Sequence, residues 1–268
     1  MKTPLEHNIA AHDKSAKKYE QVHGEIYNDV EQTRLQSCLL KAVSSIQTGS
    51  NPVIALDFGC GAGNLTEHLT GLGCEVIAGD VSQGFLDLVA KRVYVMPVRT
   101  VKLNGIDLSG ISDKSVDMVA MYSVLHHIPE YLSLMKEFSR VLKKGGVVYI
   151  DHEASLAFWN QPESYRKFLI EIKRKSRINL KKFFIATNYV DWIMRRFVDS
   201  RYQREGDIHV FLNDHVEWDK IREELKNVGI EELYEETYLL FRREYNQRVY
   251  QSYQKEIGDM HVFIGIKK

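Results

Sequence analysis

The chain has 268 residues, with 36 lysines and arginines against 36 aspartates and glutamates and only three cysteines. Balanced charge supplies no global field for recruiting a polyanion, and the length suits one core domain with an insertion or a small cap. Cys38, Cys60 and Cys74 have no paired spacing, which excludes a CxxC metal or redox site and suits a reducing compartment.

Residues 4–46 read as helical, forming an N-terminal cap. Within them His23, Glu25, Asn28, Glu31 and Arg34 share roughly one face, a spacing that serves either a substrate wall or a solvated surface. Val53–Leu56 is a short apolar run of the kind that makes a strand buried on both faces, and Asp57 ends it. Gly59, Gly61 and Gly63 then alternate with Cys60 and Ala62, and Asn64–Leu69 returns to helical spacing. A strand, a glycine-rich turn and a helix make the mouth of a nucleotide site at the carboxyl edge of a parallel sheet. Asn64 stands where a GxGxxG fingerprint would place its last glycine, so the dinucleotide pattern fails there. Asp57, two residues before the turn, repels a pyrophosphate and favours a ligand carrying an ammonium group.

At Ala55–Gly63 (ALDFGCGAG) the chain resembles the class I S-adenosylmethionine-dependent methyltransferases, whose first motif is (V/I)LDxGCGxG. The resemblance implies S-adenosyl-L-methionine as cofactor and S-adenosyl-L-homocysteine as product. It also implies a Rossmann-like, doubly wound α/β fold: seven strands, mostly parallel, with an antiparallel last strand. A nicotinamide-dependent Rossmann protein is the alternative. Ala16 and Tyr19 match an AxxY setting that in such enzymes places the tyrosine near the sulfonium; packing of Tyr19 on the sheet edge is the competing reading.

Cys74–Ala78 reads as the second strand, ending in Gly79-Asp80-Val81-Ser82. Asp80, about twenty residues beyond the glycine turn, is placed to accept the ribose hydroxyls, with Val81 on the adenine. Phe85–Lys91 is the next helix and Arg99–Leu103 the third strand. After it the family's acidic turn is replaced by Asn104–Leu108, so the adenine edge falls to the shifted Asp107 carboxylate or to the Ile106 backbone. Asp113–Val119 resembles the family's entry to the fourth strand, Val119–Met121. Tyr122 follows among the cofactor-contacting residues, and then His126-His127 in a turn similar to the family's LHH(I/V). Pro129 is expected to open a helix over Glu130–Leu142, capped at Lys143–Gly146 before the fifth strand, Val147–Ile150.

Methyl transfer needs an aligned nucleophile and, for a hydroxyl acceptor, a base. The candidates are His127 first and His126 second, with Asp151 and Glu153 from the neighbouring strand end; His152 lies between those two acids. Adjacent histidines on a strand end point apart, so no metal site is expected. The turn after the fourth strand lacks the paired prolines of amino-directed nucleic-acid methyltransferases, so no nucleic-acid partner is expected. O-methylation of a small-molecule or saccharide acceptor is the expected reaction, with N-methylation of a small amine or a non-catalytic cofactor-binding role as alternatives. Residues 154–205 read as an inserted helical lid, rich in lysine, arginine and aromatic residues, which points to an anionic acceptor. The core is then 1–153 with 206–268, closing on Val216–Val228 as a helix and on strands at Glu232–Phe241 and Met260–Ile266. No basic-plus-apolar leader and no apolar run of membrane-spanning length is seen, so a cytoplasmic enzyme is expected.

Overall fold

Side-chain alternation decides how the central strands are used. Along β1 (Ile54–Phe58), Ala55 joins one apolar core while Leu56 and Phe58 join the other. The same division runs through β4 (Val116–Tyr122), with Met118 and Ala120 on one face and Val119 and Met121 on the opposite one. Strands buried on both faces in this way need a helical layer on each side. The computed structural model describes residues 23–175 and 216–268 and supplies both layers.

β2 (Glu75–Asp80), β3 (Val98–Lys102), β5 (Leu142–Ala154), β6 (Ile230–Tyr238) and β7 (Met260–Lys267) complete a seven-stranded sheet in the order β3-β2-β1-β4-β5-β7-β6. The first five strands pair in parallel, and β7 runs antiparallel to both β5 and β6. One face carries α1 (Asp29–Ser44) and α2 (Asn64–Gly71), whose Leu35, Leu39, Leu65 and Leu69 pack on Ala55, Val76 and Tyr149. α3 (Gln83–Ala90) packs Leu86 and Val89 on Ala78 and Cys60. The other face carries α4 (Leu134–Val141) and α7 (Trp218–Asn227), through Phe138, Trp218, Ile221 and Leu225.

Between Ala154 and α7 lie a short α5 (Leu156–Asn160) and α6 (Glu163–Lys175). Tyr165, Phe168 and Ile172 of α6 share a small separate core with Leu239, Val249, Tyr250 and Ile257, the middle two from α8 (Gln247–Tyr253) and its surroundings. The described part of the expected lid, residues 154–175, is thus built onto the β6–β7 connection. The expected lid residues 176–205, the expected return to the core at 206–213, and Ala16 and Tyr19 lie outside the described residues.

The helix expected over Glu130–Leu142 is shorter. A 3-10 turn at Tyr131–Ser133 precedes α4, and Leu142 is already extended because its backbone pairs with Val116 of β4. Lys143–Gly146 is therefore not a helix cap but an irregular stretch of β5. There Gly145 has φ +78° and its carbonyl accepts from Gln47 N–H. Asp117 pins this region: buried, it accepts from Ser50 Oγ (2.7 Å), the Ile54 N–H (2.8 Å) and Lys143 Nζ (2.9 Å).

Candidate active site

The glycine turn leaves β1 at Gly59, whose N–H donates to the Gly79 carbonyl on β2 at 2.8 Å, as does that of Cys60 at 3.0 Å. Gly59 (φ +73°) lies against the turn that follows β4, since a Cβ there would meet the Val124 side chain at 2.7 Å. Gly61 (φ +47°) is different. A Cβ on it would project into open space, so its backbone is open to a ligand's approach. Its N–H donates to Asp80 Oδ2 (2.9 Å), and the Ser82 N–H donates to Asp80 Oδ1 (2.7 Å). Asp80 thus stands at the end of β2 with its carboxylate oriented by two backbone donors. Lys102 Nζ donates to the Val81 carbonyl beside it.

Asp57 sits behind the turn, 1% exposed, and accepts a 2.5 Å hydrogen bond from the Thr66 hydroxyl on α2. Burial pushes its carboxyl up to about 7, with the nearby Asp80 charge adding to the rise and the Thr66 bond opposing it. Thr66 escaped the sequence reading; its only signal is its place on the first turn of the helix after the glycines. At the β3 end, Asn104 Oδ1 accepts from the Ile106 and Asp107 N–H groups at 2.8 and 2.9 Å. Asp107 Oδ1 accepts from Asn104 Nδ2 and the Ser109 N–H. Both groups expected to read the adenine are held in one polar turn, Ile106 exposed and the Asp107 carboxyl kept below its ordinary value by those donors.

β5 carries an extra residue at its carboxyl end. Asp151 pairs with Val262 and Glu153 with the adjacent His261, leaving His152 bulged with φ +63°. Because partners on β7 are consecutive, Asp151 and Glu153 point to opposite faces of the sheet. On the α1 face, Asp151 Oδ2 accepts from both Arg34 Nη atoms (3.1 Å each) and from the Tyr149 hydroxyl (2.5 Å). Its Oδ1 accepts from the Tyr238 hydroxyl (3.1 Å) and the His152 N–H (2.7 Å). Arg34 also donates through Nε to Glu31 Oε2 and lies 3.6 Å from the centre of the Tyr238 ring. The expected polar row is split: His23 and Glu25 lie in a turn before α1 where a helix was expected, Asn28 caps it, and only Glu31 and Arg34 are on the helix. It is neither a solvated face nor an open wall, since Glu31 and Asn28 are buried and Arg34 is the bolt between α1 and β5. Five donors occupy Asp151. The expected acid–base role does not suit it, since its lone pairs are committed to anchoring.

On the opposite face, Glu153 is fully buried. Its Oε1 accepts from the Val124 and Leu125 N–H groups (2.7 Å each), and its Oε2 meets His126 Nδ1 at 2.8 Å. Glu153 thus orients both the turn and the imidazole. His126 is buried and His127 half-buried, their ring centres 4.1 Å apart and tilted by 44°. Tyr122, the last residue of β4, lies on the α1 face, half-buried, with its ring stacked on His152. Among the described residues no group of three or more His, Cys, Asp or Glu has metal-holding geometry, and no described helix is long and apolar enough to cross a membrane.

The residues present suit a cationic nucleoside. Open space faces the Gly61 backbone, Asn64 Nδ2 at the start of α2 is buried without a hydrogen-bond partner, and the Asp80 carboxylate holds the Gly61 N–H with Asp57 near enough to feel its charge. Residues 56–150 match the family model for a methyltransferase domain. Over that stretch the chain carries a methyltransferase domain. Over 112 residues it is 31% identical to a demethylmenaquinone methyltransferase from Bacillus cereus (strain B4264), covering 40% of this chain and 46% of that protein. Over 98 residues it is 31% identical to a ubiquinone biosynthesis O-methyltransferase from Burkholderia vietnamiensis, covering 35% of this chain and 42% of the relative. The chain thus matches less than half the length of these curated relatives. The fold aligns with an S-adenosylmethionine-dependent methyltransferase structure from Clostridium acetobutylicum at a TM-score of 0.56 and 14% identity, over 94% of this chain and 98% of that one.

Proposed function

We propose that the protein transfers a methyl group from S-adenosylmethionine to a hydroxyl of a small-molecule acceptor, with His126 as general base oriented by Glu153. The observation that carries this reading is the His126–Glu153 pair at 2.8 Å, standing at the ends of β4 and β5 beside the glycine turn. A carboxylate on Nδ1 fixes the tautomer that leaves Nε2 as the proton acceptor and stabilises the imidazolium once formed. This reverses the order expected from sequence, where His127 came first. His127 becomes a neighbour that packs on the base, and Asp151 an anchor.

When bound, the cofactor supplies an electrophilic methyl carbon on a sulfonium leaving group. His126 Nε2 takes the acceptor's hydroxyl proton as the oxygen attacks, and Glu153 holds the ring in place. Asp80 is assigned to the ribose, the Gly59–Gly63 turn to the methionine end, and Val81 with the Asn104–Asp107 turn to the adenine. That relatives are named for demethylmenaquinone and for ubiquinone biosynthesis supports a small organic acceptor over a glycan. The anionic acceptor inferred from the basic lid rests on residues mostly outside those described.

Incubation with isotope-labelled cofactor and a panel of phenolic, quinol and sugar acceptors, read by mass spectrometry, tests the reaction. His126→Ala should lower kcat by about 100- to 10,000-fold, the range for general-base catalysis, and His127→Ala by much less. Glu153→Gln should shift the acidic limb of the pH–rate profile downward by weakening support for the imidazolium. Equal turnover in His126→Ala and the parent would remove the base from the reading.

A further inference from the structure

β7 lies well to one side of the glycine turn: in the strand order it is three steps from β1, roughly 14 Å. His261 on β7 pairs with Glu153 of β5, so both side chains stand on the α7 face. There the His261 ring lies flat on Trp218 of α7, with ring centres 3.8 Å apart and 17° between planes. His261 is 6% exposed, and its Nε2 stands 2.5 Å from Glu235 Oε1 on β6.

The protonation of that imidazole follows from its neighbours. The same Glu235 oxygen accepts from Arg222 Nη1 at 2.5 Å, and Arg222 Nη2 donates to Asp219. A carboxylate held by a guanidinium can only accept, so the hydrogen in the His261–Glu235 bond belongs to Nε2. Burial, reinforced by the Arg222 charge, pushes His261 down to about 4. At neutral pH the ring therefore carries no second proton, and Nδ1 is a bare acceptor.

A cavity of about 320 Å³ opens on this ring, near the lower end of the size range of small-molecule sites. Its walls come from the starts of α5 and α6, from α7 and β6, and from the residues leading into β7. Neither His126, His127 nor any residue of the Gly59–Gly63 turn lines it. Leu156, Pro162 and Ile257 supply apolar wall, with half of the Leu156 surface exposed.

The charged residues in the wall are Arg222 and Glu256. Arg222 has given both Nη groups to carboxylates, whereas the Glu256 side chain is exposed. A polar ligand thus meets an imidazole nitrogen that accepts, a carboxylate that accepts, and the hydroxyls of Ser164 and Thr237, which serve either way. An anion finds no uncommitted cation in this wall. An ammonium finds acceptors beside an apolar surface.

We propose that this cavity is a second ligand site, separate from the cofactor edge, which takes a small organic amine in its ammonium form. The apolar body rests against Leu156 and Ile257, and the cation turns toward Glu256 and His261 Nδ1. The inference stands independently of the methyltransferase reading, since no residue assigned to the cofactor or to the base takes part.

Fluorine NMR on protein labelled with 5-fluorotryptophan reads the site directly, because Trp218 lines the cavity. Trp159→Phe and Trp192→Phe identify its resonance by elimination. With excess S-adenosylhomocysteine present, benzylamine should shift the Trp218 signal saturably. Benzyl alcohol should bind about 10-fold more weakly, the scale of a lost charge-assisted hydrogen bond, and benzoate should not bind. His261→Phe keeps a stacked ring but removes the acceptor, and should weaken benzylamine by about 10-fold. Glu256→Gln, at an exposed position on which folding does not depend, should weaken it by about 2- to 5-fold. Benzoate binding as tightly as benzylamine, or benzylamine affinity unchanged in both variants, overturns the proposal. Displacement of benzylamine by S-adenosylhomocysteine does so too, by placing the amine at the cofactor edge. Benzylamine binding retained by a protein that fails to bind S-adenosylhomocysteine supports this site and overturns the methyltransferase reading alone.

Discussion

Asp57 is the clearest case of a single residue whose environment sets a measurable response. Its carboxyl is fully enclosed between the glycine turn and Thr66, and burial raises it from 3.8 to about 7. Between those values the folded protein holds a proton that the unfolded chain has released. Stability contributed by this site therefore falls as pH rises from about 4 to about 7. Chemical denaturation at pH 4.5 and pH 8 should show the parent losing stability relative to Asp57→Asn at the higher pH, on the order of a few kcal/mol. A difference between the two proteins that stays constant with pH would place the Asp57 proton elsewhere. The glycine turn and Asp80 were legible because such turns leave glycines in the sequence and the second strand must end near them. Thr66, Tyr149 and Tyr238 were not legible: each acts through one hydroxyl on a partner that only the fold supplies.

At the scale of elements, the docking of α1 on β5 depends on one ion pair within a ring of phenols. Arg34 reaches Asp151 from 117 positions away in the chain, and the bonds from Tyr149 and Tyr238 leave the carboxylate enclosed. Removing one partner of such a pair strands the other charge, which costs about 3–5 kcal/mol, whereas removing both costs much less. Urea denaturation of Arg34→Met, Asp151→Asn and the double variant should show strong non-additivity, with the double variant more stable than Arg34→Met. Simple additivity would mean that α1 is held by its Leu35 and Leu39 packing alone. Sequence periodicity placed Glu31 and Arg34 on one helix face but left their burial undecided, and it extended the helix over His23–Asn28, which form a turn ahead of α1. Amphipathic spacing tells which residues share a face, and only the partner element tells whether that face meets water. The β4–α4 connection shows the converse limit, since Pro129 marks a turn but the Val116–Leu142 pairing decides where helix gives way to strand.

For the molecule as a whole, binding and stability are linked through the one edge that gathers the ends of β1, β2, β4 and β5. S-Adenosylhomocysteine at 100 times its dissociation constant should add about 2.7 kcal/mol. For a chain near this size that raises the thermal midpoint by about 5–10 °C. Thermal denaturation with the nucleoside and, separately, with NADH checks this; a shift with NADH alone would contradict the cofactor class. The seven-stranded, mostly parallel sheet with its antiparallel close was expected from the resemblance of the glycine-turn motif, not from the strand–helix rhythm, and the observed sheet agrees with it. The bulge at His152 left no such trace, because histidine carries none of the usual signals of a left-handed position. Its effect is one of parity. A strand deals its residues alternately to two sides, so acids two places apart would ordinarily serve the same side and compete for the same work. One supernumerary residue breaks the count, and Asp151 is dealt to Arg34 and α1 while Glu153 is dealt to His126 and its turn. Were His152 to take its place in a regular strand, Glu153 would fall on the side of Asp151 and leave His126 without its carboxylate.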